Sequence, residues 1–379
     1  MRYEGLEVWR VPLIFRRPIG TAAGTHRVRP VLLVRVTAGG AEGWGECGAL
    51  AEGTSVDPPL AEVRQALVDL GVDRLARAAG AREGELPPAT VVGQLFDSTA
   101  VSRMVAATLE MAVMDLELRV TGMSLAARLG VPDEVEQVAA GAVVGIPVDR
   151  DLGTLEAEVA ALVTRGFGRV RLKIEPGWDL GPVGALRQTF PALALQVDAN
   201  GAYRLADADH LARLDAYGLT CLEQPLPAAD LPGHAALAER LATPICLDET
   251  LTSPRRLADA LRYRACGVAC LKPARLGGLL AARRAQRDCL EAGVPAFVGG
   301  LFETGLARTA NAALAGLPGF SLPGDLSDPD DYLVANPSPY RGPVAGQVAL
   351  PTDPGVGPVP DPALLASLAP RAERFPVAR

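Results

Sequence analysis

Lysine is nearly absent from this sequence: of its 37 basic residues only Lys173 and Lys272 are lysine, and the rest are arginine. Long apolar runs are absent too. No stretch approaches the roughly 18 residues that a membrane span needs, and residues 1–10 carry Glu4, Glu7 and Arg10, unlike a signal peptide. A cytoplasmic protein without a membrane partner is therefore expected. No basic cluster or aromatic-rich basic stripe stands against the net charge of −7, which argues against a nucleic-acid partner. Six scattered cysteines (Cys47, Cys221, Cys246, Cys266, Cys270, Cys289) lack a second pair at zinc-site spacing, so buried free thiols are expected.

What is present is a chain of 379 residues, 49% hydrophobic and 21% charged, long enough for two domains of roughly 100–200 residues each. The arginine bias fits a GC-rich coding background, in which arginine fills every surface role either residue can take. Two positions resist it. A guanidinium holds its proton near neutral pH, whereas a lysine amine can be tuned to accept and return one. Both lysines also end a short apolar run, Val170-Arg171-Leu172-Lys173 and Val268-Ala269-Cys270-Leu271-Lys272, where a barrel strand presents a residue to a pocket.

Three carboxylates share that setting: Leu195-Gln196-Val197-Asp198, Cys221-Leu222-Glu223 and Ile245-Cys246-Leu247-Asp248. Lys173, Asp198, Glu223 and Asp248 follow one another at steps of 25, and Lys272 comes 24 later. One strand, one helix and two loops occupy about that length. Leu155, Val159 and Leu162 fall at i, i+4 and i+7, and a second helix is expected over 276–290. Short apolar strands alternating with helices imply parallel pairing. The expected fold is α/β: a TIM-type (β/α) barrel with its active site at the C-terminal strand ends. Its first strand is placed at 137–146, its seventh at 295–299, and a shortened last unit at 320–324. Before it, strands near 8–14, 30–36 and 42–47 and helices near 59–79 and 101–120 predict an α+β capping domain. The expected organisation is a cap over 1–125, a barrel over 126–325, and a segment over 326–379 packing back on both, with 336–360 irregular. The glycine-bearing stretch 17–27, with His26, reads as a loop able to close over the pocket.

Asp198, Glu223 and Asp248 on adjacent strand ends form an oxygen-rich site suited to a hard divalent ion such as Mg²⁺. A proton beside a carboxylate is weakly acidic because its removal adds a second negative charge, and a metal acting as Lewis acid stabilises that enediolate. Arg171, two residues before Lys173 and on the same side of the strand, is expected to add a fixed positive charge that favours the neutral amine.

These residues lie in longer motifs: Gly43-Trp44-Gly45-Glu46-Cys47, Leu109-Glu110-Met111-Ala112, Arg171-Leu172-Lys173-Ile174-Glu175-Pro176, Asp198-Ala199-Asn200, Glu223-Gln224-Pro225, Asp248-Glu249, Lys272-Pro273-Ala274-Arg275, Gly299-Gly300-Leu301-Phe302-Glu303 and Leu322-Pro323-Gly324-Asp325. With them the chain resembles the enolase superfamily, muconate-lactonising subgroup, and most closely its o-succinylbenzoate synthase/N-acylamino acid racemase branch. The superfamily is itself the standard example of lysine or histidine bases working with Mg²⁺. The resemblance implies Mg²⁺, replaceable by Mn²⁺, on Asp198, Glu223 and Asp248, with Lys173 and Lys272 catalytic. It implies substrate-binding or supporting roles for Arg171, Asn200, Glu249, Arg275, Gly300, Leu301 and Glu303. The implied substrate is a small carboxylate. The implied reaction is dehydration of a succinyl-bearing cyclohexadiene carboxylate in the menaquinone pathway, with N-acylamino acid racemisation as a further activity. A homo-oligomer is the expected assembly.

Three positions depart from the branch: Arg171 stands where a lysine is usual, Val143 where serine is frequent, and Leu301 where methionine is common. The histidines, His26, His210 and His234, all lie away from the seventh strand, against a mandelate-racemase-like mechanism. Asp325-Leu326-Ser327-Asp328 is one residue too long for the dipeptide-epimerase Asp-x-Asp. A dedicated racemase or a muconate-type cycloisomerase shares the lysines and the metal site. A catalytically silent binding barrel gives no reason to keep two lysines among so many arginines.

Overall fold

The computed structural model describes residues 1–21 and 24–377, and the side chains of residues 19–26 lie outside that description. Three antiparallel strands open the chain: β1 (Tyr3–Thr21), β2 (Gly24–Ala38) and β3 (Ala41–Cys47). In β1 the alternation of buried Val11, Leu13 and Phe15 with exposed Pro12 and Ile14 is the period-2 pattern of a strand covered on one face. The stretch read as a loop over 17–27 is instead largely ladder: after a bulge between Ile14 and Ile19, the pairs Ile19–His26, Gly20–Thr25 and Thr21–Gly24 continue it. Propensity pointed the wrong way here, because paired neighbours override glycine's poor strand preference. The side chain of His26, part of that stretch, lies outside the described set.

The helix Ala100–Thr121 lies across this sheet, capped by Thr99, whose side chain accepts from the Ser102 N–H, and ended by Gly122 at φ 67°. Its fit explains two glycines of the first motif. A Cβ on Gly43 would come within 2.2 Å of the Ala112 carbonyl, and one on Gly45 within 2.2 Å of that of Thr108. The expected helix over 59–79 is present as Leu60–Ala66 and Val72–Gly80, joined by a π turn.

Next comes a short strand β4 (Gln137–Ala139), then seven parallel strands in sequential order. They are β5 (Gly141–Val144), β6 (Arg169–Lys173), β7 (Ala194–Asp198), β8 (Leu222–Glu223), β9 (Ile245–Leu247), β10 (Val268–Leu271) and β11 (Ala296–Val298). The single strand expected over 137–146 is therefore two: β4 leaves the barrel to pair with β12 (Gln347–Ala349), inside the tail expected to be irregular. Between strands run helices such as Leu152–Thr164, with Leu155 and Val159 buried and Leu162 half-buried. The helix expected over 276–290 starts later, at Leu279, because Gly277 and Gly278 at φ 102° and 127° break the turn before it.

No eighth strand ladder forms among the described residues. In its place the Leu322 N–H donates to Ala296 O (3.4 Å) and the Asp325 N–H to Val298 O (2.9 Å) on the β11 side. On the β5 side the Gly141 N–H donates to Gly324 O (2.7 Å). The segment 322–325 thus bonds, through Leu322, Gly324 and Asp325, to both edges of the curled sheet. Finally β13 (Glu373–Pro376) joins β1 as a fourth strand of the cap sheet. Among the described residues no helix is long and apolar enough to cross a membrane.

Candidate active site

Parallel pairing aligns the functional strand ends. Lys173 is in register with Asp198 and Asp198 with Glu223, while Asp248 and Lys272 are the first residues past β9 and β10. Two residues earlier on each strand, period-2 alternation points Arg171, Gln196, Cys221, Cys246, Cys270 and Phe297 to the same side. All six are buried, with the last four in one cluster. The free thiols expected from the sequence are all buried in the structure.

Each lysine holds one flanking acid. Lys173 Nζ donates to Asp198 Oδ2 (2.6 Å) and Asn200 Oδ1 (2.7 Å), and Lys272 Nζ donates to Asp248 Oδ2 (2.7 Å). The two differ in openness: the side chain of Lys173 is 30% exposed and that of Lys272 10%. Burial alone would drive Lys272 toward the neutral amine, but the Asp248 carboxylate outweighs it and raises the ammonium well above its ordinary value. Asp248 is likewise held below the usual carboxylate range, its burial overcome by Lys272 and then Arg275.

Arg275 is buried, with Nη1 on Asp248 Oδ1 (2.7 Å) and Nε and Nη2 on the two oxygens of Asp57 (2.8 and 2.7 Å). Asp57 belongs to the cap, so this fork ties cap to barrel. Arg171 Nη1 donates to both Glu223 oxygens (2.8 Å each) and Nη2 to Asp325 Oδ2 (2.5 Å), so its charge is matched by two carboxylates.

Among the described residues, the donor atoms that lie within 4.8 Å of one another belong to Glu223, Asp248 and Cys270. Asp198 sits beside this group rather than in it, one oxygen taken by Lys173 and the other accepting the Asn200 N–H (3.0 Å). Burial pushes the Glu223 carboxyl up to about 8, Arg171 opposes it, and Asp198 and Asp248 push it further. Burial keeps the Cys270 thiol protonated, so it is a poor donor to a hard ion. Buried carboxylates that repel one another across a few ångströms suit an oxygen-preferring divalent cation, so the residues present fit one.

The remaining candidates divide. Asn200 Nδ2 donates to Glu249 Oε1 (2.9 Å); Glu249 is raised by burial and then by Asp248 and Asp198, and its Oε2 has no partner. Gly300, Leu301 and Glu303 make no hydrogen bond or ion pair with the two lysines or the three acids. The Gly300 N–H donates to Asp325 Oδ2 (3.3 Å), the Leu301 N–H to Glu303 Oε1 (2.7 Å), and Glu303 pairs with Arg308 (2.8 Å). The Leu301 carbonyl accepts from Arg29 of the cap (3.3 Å). A cavity of about 20 Å³ beside Lys272, lined also by Glu46, Met111, Leu301 and Glu303, holds no more than a water, which needs roughly 10–15 Å³. Val143, in register with Arg171, is 42% exposed.

Sequence reasoning missed Asp57, Asp325 and Gln196 as partners of the site. Strand alternation could have found Gln196, two residues before Asp198. Nothing in the sequence links Asp57 to a residue 218 positions away.

Residues 6–130 match the family described as mandelate racemase/muconate lactonizing enzyme, N-terminal domain, and residues 154–364 match one described as enolase C-terminal domain-like. The chain is 41% identical over 369 residues to an N-succinylamino acid racemase of an Amycolatopsis species, covering 96% of this chain and 97% of the relative. It is 35% identical over 346 residues to the o-succinylbenzoate synthase of Geobacillus kaustophilus, covering 90% and 89%. Among solved structures, a probable mandelate racemase from Alicyclobacillus acidocaldarius superposes with a TM-score of 0.88 at 36% identity over 99% of both chains.

Proposed function

Since the chain belongs to the mandelate racemase/muconate lactonizing enzyme family of the enolase superfamily, we propose that it is an o-succinylbenzoate synthase that also racemises N-acylamino acids. Enzymes of this superfamily use a divalent metal, which we assign as Mg²⁺, replaceable by Mn²⁺, on Asp198, Glu223 and Asp248. When bound, the ion supplies the positive charge that makes a proton beside a carboxylate removable. The observation that carries the reading is the pair of lysines, one on each flank of the acids and each ion-paired to one of them.

Their unequal settings suit a dehydration. Lys173, the more open, takes the α-proton and then helps the hydroxide depart, with Asn200 orienting its amine. Lys272, buried and held charged beside Asp248, stays cationic near the developing negative charge. Racemisation uses the same two amines on opposite faces of an α-carbon. The 41% identity to a relative named as an N-succinylamino acid racemase supports that second activity. The test is one assay in D₂O with Mg²⁺, comparing dehydration of the succinyl-bearing cyclohexadiene carboxylate with α-deuterium exchange into N-succinylamino acids. Both activities are expected. Exchange without dehydration would make the protein a dedicated racemase, and neither would overturn the proposal.

A pH effect follows for the metal. Without an ion, Glu223 titrates near 8 in the fold against 4.5 for an ordinary glutamate, so the folded protein holds a proton that the unfolded chain releases earlier. That contribution to stability is full below about pH 4.5 and is lost as pH rises through about 8. A bound cation favours the ionised carboxylate and reverses the loss. The rise in melting temperature on adding Mg²⁺ should therefore be larger near pH 8.5 than near pH 6, with proton release on ion uptake near pH 7. Calorimetric titration in two buffers of different ionisation heat measures that release; uptake without it would remove Glu223 as a ligand.

A further inference from the structure

The ladder between β8 and β9 stops at the pair Glu223–Cys246, two residues short of Asp248, yet the backbone beyond it is not left loose. Gln224, completely buried and next to Glu223, reaches across. Its Oε1 accepts the backbone N–H groups of Asp248 (3.1 Å) and Thr250 (3.0 Å). Its Nε2 donates to Thr250 Oγ1 (2.8 Å) and Leu226 O (2.9 Å), and its own N–H donates to Cys246 O (2.8 Å). Gln224 makes these contacts from φ 39°, in the left-handed region that a side chain of its size occupies only when its surroundings over-determine it.

His234 braces the far side of the carboxamide. Its Nδ1 lies 2.7 Å from the Asp230 carbonyl, a contact that requires the proton on Nδ1. Nε2 therefore carries the lone pair, which accepts the Leu226 N–H (3.3 Å) and faces Gln224 Nε2 (3.3 Å). A neutral ring in this tautomer leaves no donor pointing at another donor. Burial favours that neutral form.

We propose that Gln224, braced by neutral His234, is a positioning residue that fixes Asp248 relative to Glu223 and so sets the affinity of the two acids for a divalent ion. The proposal rests on the reading that these acids hold the metal. It concerns a side chain whose carboxamide is taken up by protein groups, and it assigns a task to a histidine that the chemistry leaves unused. The carboxamide replaces the missing rung of the ladder, so the distance between the two carboxylates is set by one rigid, fully bonded group rather than by a flexible loop.

The test measures Mn²⁺ binding to the intact protein by electron paramagnetic resonance, alongside circular dichroism and melting temperature, for the wild type, Gln224→Met and His234→Leu. Gln224→Met keeps an unbranched chain of similar length but accepts no N–H. It should bind Mn²⁺ about 10–100-fold more weakly, the range seen when a group orienting a metal ligand is removed. His234→Leu should fall between Gln224→Met and the wild type. Should Gln224→Met fail to fold, ¹⁵N spectra of labelled histidine decide, with the His234 resonance, assigned by its absence from His234→Leu, expected at the position of an unprotonated Nε2. A folded Gln224→Met protein with unchanged Mn²⁺ affinity, or a protonated Nε2 in the wild type, would overturn the inference and leave the metal site standing. A wild type that binds no Mn²⁺ would remove the metal reading itself.

Discussion

A Lys173→Arg protein is expected to lose about 10²–10⁴-fold in turnover, the range that a positioned general base contributes. The substitution preserves the positive charge and a chain able to reach Asp198, which Lys173 Nζ contacts at 2.6 Å, and Asn200, at 2.7 Å. It removes only the ability to shed and regain a proton near neutrality. Electrostatic roles are therefore kept while the acid–base role is lost, which makes this a sharper experiment than alanine. Dehydration and α-deuterium exchange should fall together, because both begin with the same abstraction on that face. Mn²⁺ affinity should change far less than turnover. Full turnover in the arginine protein would assign the base elsewhere.

Asp325→Asn is expected to cost about 3–5 kcal/mol of stability, the range for removing one partner of a buried ion pair. Asp325 is buried and receives Arg171 Nη2 on Oδ2 (2.5 Å) and Arg169 Nη2 on Oδ1 (3.2 Å). Burial alone would raise its carboxyl, but Arg171 and Arg169 hold it near 2. Because the folded value lies below the ordinary 3.8, its contribution is present above about pH 4 and lost as pH falls through about 2. Asparagine keeps the shape and discards the charge. Arg171 would retain the Glu223 carboxylate, whereas Arg169, which also donates to the Pro323 carbonyl, would lose its carboxylate partner. The same segment closes the sheet where an eighth strand is missing, so the Gly141 and Asp325 amides should exchange faster with solvent in the variant. Urea denaturation and hydrogen exchange measure the two effects. An unchanged denaturation midpoint would mean that the pair of arginines is neutralised by other groups.

The barrel and its functional strand ends were legible because their cause is local. A 25-residue repeat of apolar runs, each closed by a charged residue, encodes a strand and the rim position of its last side chain. The two-strand split at Ala140 and the pairing of residues 19–21 with 24–26 were not legible, since each depends on a partner strand: β12, some 200 residues later, and β2. Glycine content suggested a loop there, and pairing of residues 19–21 with 24–26 overruled it.

Residue identity and spacing were enough to say which groups gather at the barrel mouth: two amines that can exchange protons, flanked by acids on successive parallel strands. Which charge answers which was settled by folding alone. Arg171 is taken up by Glu223 and Asp325, Asp57 crosses from the cap to Arg275, and Asp198 stands beside the Glu223–Asp248–Cys270 group instead of within it. The division has a physical reason. Backbone alternation and parallel register fix the direction of a side chain from its near neighbours, whereas the partner of a buried charge depends on distances between segments far apart in the chain.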